Sequence, residues 1–308
     1  MIVAVSCMCA CVSQKYSSNR LFENNCTTDS SFRYGFAFHP SESLEKDVKR
    51  SDSLLKGRFS ERTIRMVKAI GLLPSLLQLC NYERRLKKDQ TAINESVNEY
   101  ILFRQNITDH IQLVTFDVST ATAEVDCEIK RCIQARDMLM VRENRNIKKI
   151  TILSIIAGSA SAIVAGALAL NNYANSGSII EITGGILGAT LGMSTFIIQP
   201  RKMMFMHKRN LLKGIWDETD VNVYFAPAVH YYLHHSIYYQ QTNVQQLRES
   251  WVFYKMDKDL YFGEGGIYSA QELETRAKML GQIETKIKLM NNDLTILLNE
   301  LVSNQPKY

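Results

Sequence analysis

Residues 150–170 read ITILSIIAGSASAIVAGALAL and residues 182–199 read ITGGILGATLGMSTFIIQ; neither run holds an Asp, Glu, Lys, Arg or His. As an α-helix rising 1.5 Å per residue, the first run extends about 31 Å, close to the hydrocarbon thickness of a bilayer. The second run ends at Pro200. Between them, residues 171–177 (NNYANSG) form a polar turn that only lets the second helix return beside the first. The pattern predicts a two-helix transmembrane hairpin over 150–199. The rival reading is a hairpin buried in a soluble helical protein, but two adjacent uncharged runs of spanning length are hard to cover with the amphipathic helices that remain.

Small residues recur every four positions within both runs: Ser154, Gly158, Ala162 and Gly166 in the first, Gly184, Gly188 and Gly192 in the second. Lipid chains are as apolar as leucine, so helices in a membrane gain by close backbone approach, and such a small-residue stripe permits it. These seven positions are the expected transmembrane packing residues. Ala157, Ser161, Ala165 and Ala169 form a second stripe on the first helix, enough for two neighbours.

Arg142, Arg145, Lys148 and Lys149 precede the hairpin and Arg201, Lys202, Lys208, Arg209 and Lys213 follow it, while the intervening turn has no positive charge. Lys148, Lys149, Arg201 and Lys202 are the candidate lipid-phosphate contacts, each worth about 1 kcal/mol near an anionic surface. The positive-inside rule would put both flanks in the cytoplasm.

The N-terminus argues the other way. Residues 1–12 give a short apolar run followed by small residues and cysteine, resembling the end of a truncated secretion signal. Ala4-Val5-Ser6 before Cys7, and Met8-Cys9-Ala10 before Cys11, resemble a bacterial lipobox, though without the leucine that motif carries three positions before its cysteine. The resemblance implies lipidation at Cys7 or Cys11 and residence in the cell envelope, in the outer membrane as a lipoprotein; the inner membrane is the alternative. The remaining cysteines, Cys26, Cys80, Cys127 and Cys132, show neither zinc-module spacing nor a disulfide framework and are expected to be buried thiols.

Residues 13–60 are polar and aperiodic, as a leader or linker would be. Within the arm at 61–149, the stretch from Ile64 to Cys80 is apolar but too short to span, so it belongs in a helical core or at an interface. Next, Ile93, Val97, Tyr100, Ile107, Ile111, Val114, Val118, Ala121, Val125 and Cys132 fall on an alternating 3/4 register, broken by Arg104 and Glu128. Leu280, Ile283, Ile287, Met290, Leu294, Leu297 and Leu301 repeat it within 269–304. Such spacing predicts two coiled-coil helices that pair with each other. Ser269 and Glu272 form a capping-box pattern that starts the second.

Segment 200–268 is basic, and Tyr224 to Tyr268 holds twelve of the twenty-eight aromatics. These suit the core of a small juxtamembrane helical domain, a partner-binding surface or the lipid interface. His230 and His234 have metal-ligand spacing, but Tyr231 stands where the H-E-x-x-H pattern needs glutamate. Gly263-Glu264-Gly265-Gly266 lacks the lysine and hydroxyl of a phosphate-binding loop, so its glycines are assigned to a turn. No metal, cofactor or catalytic residue is expected, and a small-molecule ligand is unspecified. The net charge of +5 is too mild for a nucleic-acid binder.

The expected fold class is mainly α: long coiled-coil helices flanking a two-helix transmembrane hairpin, with a small aromatic-rich α segment. The expected function is that of a non-enzymatic membrane-anchored scaffold, or a subunit of a bacterial envelope assembly, with the lipid bilayer and copies of itself or envelope proteins as partners. An α-helical pore-forming protein that inserts its hydrophobic hairpin is the alternative.

Overall fold

A computed structural model describes residues 26, 55, 57–88, 93–170, 200–217, 224–235, 241–254 and 256–304. They are mostly helical and divide into two compact units. The larger contains the described residues of 24–133, 206–265 and 274–308; the smaller contains those of 134–205 and 266–273.

In the larger unit, helix α1 (Glu61–Ala69) starts at Ser60, whose hydroxyl accepts the Thr63 amide, and buries Ile64, Met66 and Val67. It ends at Gly71, whose φ of +68° is a left-handed conformation that glycine adopts without a Cβ penalty. Helix α2 (Leu73–Lys88) follows at once, with Pro74 in its first turn, where a missing N–H breaks no helical bond. Leu72, Leu73, Leu76 and Leu79 are buried, which places the Ile64–Cys80 stretch in the core. Gly71 and Pro74 are thus punctuation between two helices.

Helix α3 (Ile93–Leu170) is 78 residues long. Of its register residues, Tyr100, Ile107, Ile111, Val114, Val118, Ala121, Val125 and Cys132 are buried and Val97 is half-buried, while the side chain of Ile93 lies outside the described residues. So are Leu280, Ile283, Ile287, Met290, Leu294, Leu297 and Leu301 of the C-terminal helix α8 (Ala270–Ser303). The two run antiparallel: Arg104 Nη2 donates to Leu301 O at 3.1 Å, whereas Cys132, farther along α3, lies against Arg276 at the opposite end of α8. Polar ties bind neighbouring segments to this pair. Arg62 Nε donates to Asp293 Oδ1 at 2.6 Å, Tyr232 Oη donates to Asp293 Oδ2 at 3.1 Å, and Tyr100 Oη donates to Glu83 Oε1 at 3.0 Å.

The aromatic segment is not purely helical. Strand β1 (Lys202–Met206) and strand β2 (Gly265–Ser269) form a two-stranded sheet, with Met203 and Phe205 buried between exposed neighbours, the period-two pattern of a half-covered strand. In sequence, KMMFM directly follows the basic flank, and its pairing partner lies some sixty residues away, so the strand signal was masked by its context. Between the strands come four short helices: α4 (Leu211–Trp216), α5 (Pro227–His234), α6 (Asn243–Val252) and α7 (Lys258–Phe262). Tyr232, Trp251, Tyr261, Phe262 and Tyr268 are buried, so for them the core reading holds. Trp216 stacks on Phe262, and Trp251 Nε1 donates to Gln282 Oε1 at 2.6 Å. Phe253, by contrast, is exposed; Tyr238 and Tyr239 lie outside the described residues.

The glycine cluster serves the turn into β2: Gly265 has φ +110°, and a Cβ on Gly263 would collide with Asp259 O. Ser269 and Glu272 make the capping box that opens α8, the Ser269 amide donating to Glu272 Oε2 at 2.7 Å. One sequence-based expectation is corrected. Cys26 and Cys127 are joined by a disulfide, with Cα atoms 5.5 Å apart, and among the described residues Cys80 and Cys132 are the buried free thiols. A pairing across 101 residues leaves no spacing signature, because proximity comes from the folded chain.

A candidate membrane-spanning segment

Residues 150–170 are the C-terminal end of α3, and their helical form follows from residue type: Ala and Leu favour it, and packing tolerates the glycines. Among the described residues, most of its large apolar side chains lie on the surface. Ile155 is 64 % and Ile163 72 % exposed, and Ile152, Leu153, Ile156 and Val164 are also exposed. This helix is long and apolar enough to cross a membrane, with a mean hydropathy of 1.6 over its best window, none of it buried.

The polar side chains within it are turned inward on the helix. Thr151 Oγ1 donates to Ile147 O at 2.9 Å, Ser154 Oγ to Thr151 O at 2.8 Å, Ser159 Oγ to Ile156 O at 3.1 Å and Ser161 Oγ to Gly158 O at 2.8 Å. Every one of these hydroxyl protons is therefore satisfied without water, as hydrocarbon requires and an aqueous surface does not.

Ser154, Gly158 and Ala162 lie on this helix, as does Gly166, whose surroundings are not described. Nothing comes within 4 Å of a Cβ placed on Gly158, so its face is open among the described residues. Gly184, Gly188 and Gly192, with the rest of the second run, lie outside the described residues, as do Cys7 and Cys11. Lys148 and Lys149 are exposed at the approach to the apolar segment. Arg201 and Lys202 are exposed on the other flank, where the Arg201 amide donates to Glu143 Oε1 at 2.7 Å. The chain after the second run thus returns to a point two helical turns before the first run begins.

Sequence reasoning missed a buried charged layer in the larger unit. Glu128 Oε2 accepts from Arg131 Nη2 at 2.9 Å, and that nitrogen also donates to Met206 O at 3.0 Å. Arg209 Nη1 donates to Glu124 Oε2 at 2.9 Å. Arg276, fully buried, donates to Tyr261 O at 2.8 Å and Asn210 Oδ1 at 3.0 Å, and Asn210 Nδ2 in turn donates to Tyr261 O and Gly263 O. The one signal available was Glu128 itself, which interrupts an apolar register and instead anchors this layer.

His207 joins the layer, its Nδ1 donating to Gly263 O at 3.3 Å. Burial, reinforced by the Arg276 guanidinium, pushes its pKa down to about 2. An unfolded chain takes up a proton at this histidine near pH 6.5 that the folded state refuses, so stability is unaffected above that pH and falls below it. The slope is about 1.4 kcal/mol per pH unit for one such group. Denaturant titration in detergent at pH 6.5 and pH 5 should show a loss of about 2 kcal/mol from this group, which His207→Asn should remove, leaving the part carried by His230, whose pKa burial lowers to about 4.

The arrangement offers no metal centre among the described residues. His230 and His234 stack face to face with centroids 3.7 Å apart, and His234 Nδ1 donates to His230 O at 3.0 Å. Compared with known proteins, the chain matches no family model, no curated protein and no solved structure.

Proposed function

We propose that this protein is a membrane-anchored helical scaffold or a subunit of a bacterial envelope assembly, non-catalytic, oligomerising through small-residue packing of a transmembrane hairpin. The observation that carries it is the end of α3: an uncharged helix of spanning length whose isoleucines face outward and whose hydroxyls bond only to its own backbone. Support for the hairpin comes from the Arg201–Glu143 contact, which brings the chain leaving residue 199 back beside its entry. The open face at Gly158 is where a second helix, from the same chain or a neighbouring copy, can approach closely. The buried 3/4 registers of α3 and α8 support a coiled-coil stalk, and the exposed Lys148, Lys149, Arg201 and Lys202 would meet lipid phosphates. Lipidation at Cys7 or Cys11 would add a second anchor.

Purified protein reconstituted into dye-loaded liposomes tests this reading against the pore alternative. A scaffold is expected to extract in mild detergent as a discrete oligomer and to leave the liposomes tight. Gly188→Leu is expected to reduce the oligomer to smaller species by crowding the packing stripe. Dye release that depends on insertion would favour the pore instead.

A further inference from the structure

The Cys26–Cys127 disulfide bears on which side of the membrane the larger unit occupies, a question the basic flanks and the signal-like N-terminus answer in opposite ways. A cystine of this kind persists in oxidising compartments, whereas cytoplasmic thiol buffers keep cysteines reduced. The positive-inside bias acts on short loops as a helix enters the inner membrane from the cytoplasm, and it does not govern a chain exported before its hairpin inserts.

We infer that the larger unit lies on the oxidising, non-cytoplasmic side of the bilayer, where Cys26–Cys127 covalently ties the N-terminal leader to helix α3. The inference rests on the anchored reading above and adds its orientation. Cys26 and Cys127 are both half-exposed, so an oxidant can reach them. Cys80 and Cys132, the other described cysteines, are buried, and burial pushes the Cys132 thiol up to about 11, which keeps it protonated and out of exchange although it is five residues from Cys127. The bond forms by attack of one cysteine thiolate on the disulfide of an oxidised dithiol oxidoreductase. The second cysteine then displaces that protein from the mixed disulfide; two electrons and two protons leave this chain, and the oxidant departs as a dithiol.

The full chain is expressed with its upstream region in bacteria, thiols are blocked with a maleimide during lysis, and the membrane fraction is digested with trypsin without reductant. Peptides 21–33 and 105–130, each containing a single cysteine, are expected as one linked species that separates on reduction. In Cys127→Ser the linked species disappears, and Cys26 should be labelled by a bilayer-impermeant maleimide in intact spheroplasts. Recovery of both peptides as blocked free thiols from a carbonate-resistant chain, or labelling of Cys26 only after lysis, would overturn the orientation and leave the anchoring intact. The linked pair in a chain that carbonate washes from the membrane would uphold the oxidising compartment and overturn the anchoring.

Discussion

Ile163→Arg is expected to remove the protein from the carbonate-resistant membrane fraction. Ile163 is 72 % exposed, so in water an arginine there would bury nothing and cost almost nothing. In hydrocarbon it stands in the middle part of the spanning segment, where replacing an isoleucine with arginine makes insertion less favourable by about 3 kcal/mol, on the order of a hundredfold in the insertion equilibrium. The side chain's distance from either end limits its snorkelling to the headgroups. Phe253→Arg is the control: Phe253 is still more exposed than Ile163 but lies outside both apolar runs, and its substitution should leave fractionation unchanged. Equal membrane retention of all three proteins would mean that the exposed isoleucines of α3 do not face lipid.

Glu128→Ala is expected to be the most destabilising single substitution in the larger unit, at about 3–5 kcal/mol, because it strips a buried arginine of its carboxylate. Arg131 would keep its contact to Met206 O but lose its carboxylate in the interior, and Glu124 already accepts from Arg209. A buried guanidinium neither loses its proton nor reaches water, so the penalty falls on the fold itself. The double variant Glu128→Leu, Arg131→Met removes both charges and keeps side-chain volume, and most of the lost stability should return. Chemical denaturation of the detergent-solubilised protein, followed by circular dichroism, measures both. A single variant within 1 kcal/mol of wild type would show that water reaches this pair in solution.

These two sites differ in how far they can be read from residue order. The apolar segment was legible because the cost of placing a charge in hydrocarbon acts on each residue separately, so twenty-one uncharged positions after a basic flank carry the signal locally. The 3/4 spacing of the α3 and α8 registers was legible for a related reason: one helix face is buried whatever covers it, and the period reports the face. The Ser269–Glu272 cap and the glycine turn before it are likewise contacts within a few residues. By contrast, Glu128 looked like an interruption of its register, since its value depends on Arg131 and on a layer completed by Arg209, Asn210 and Arg276 from distant segments.

What the sequence by itself determined is therefore the helical character of the protein, the membrane-compatible stretch of α3 and the buried faces of its long helices, all of which follow from local periodicity and transfer energetics. Tertiary structure alone decided that Cys26 and Cys127 pair, that KMMFM becomes a strand against residues 265–269, that Phe225, Tyr232, Trp251, Tyr261 and Phe262 between them form a core, and that charges occupy an apolar register. The disulfide and the strand ladder join segments far apart in the chain, and the Glu128–Arg131 pair, though three residues apart, is buried only when segments around Met206 and Arg276 cover it, so none of these has a favourable energy until folding has brought the parts together.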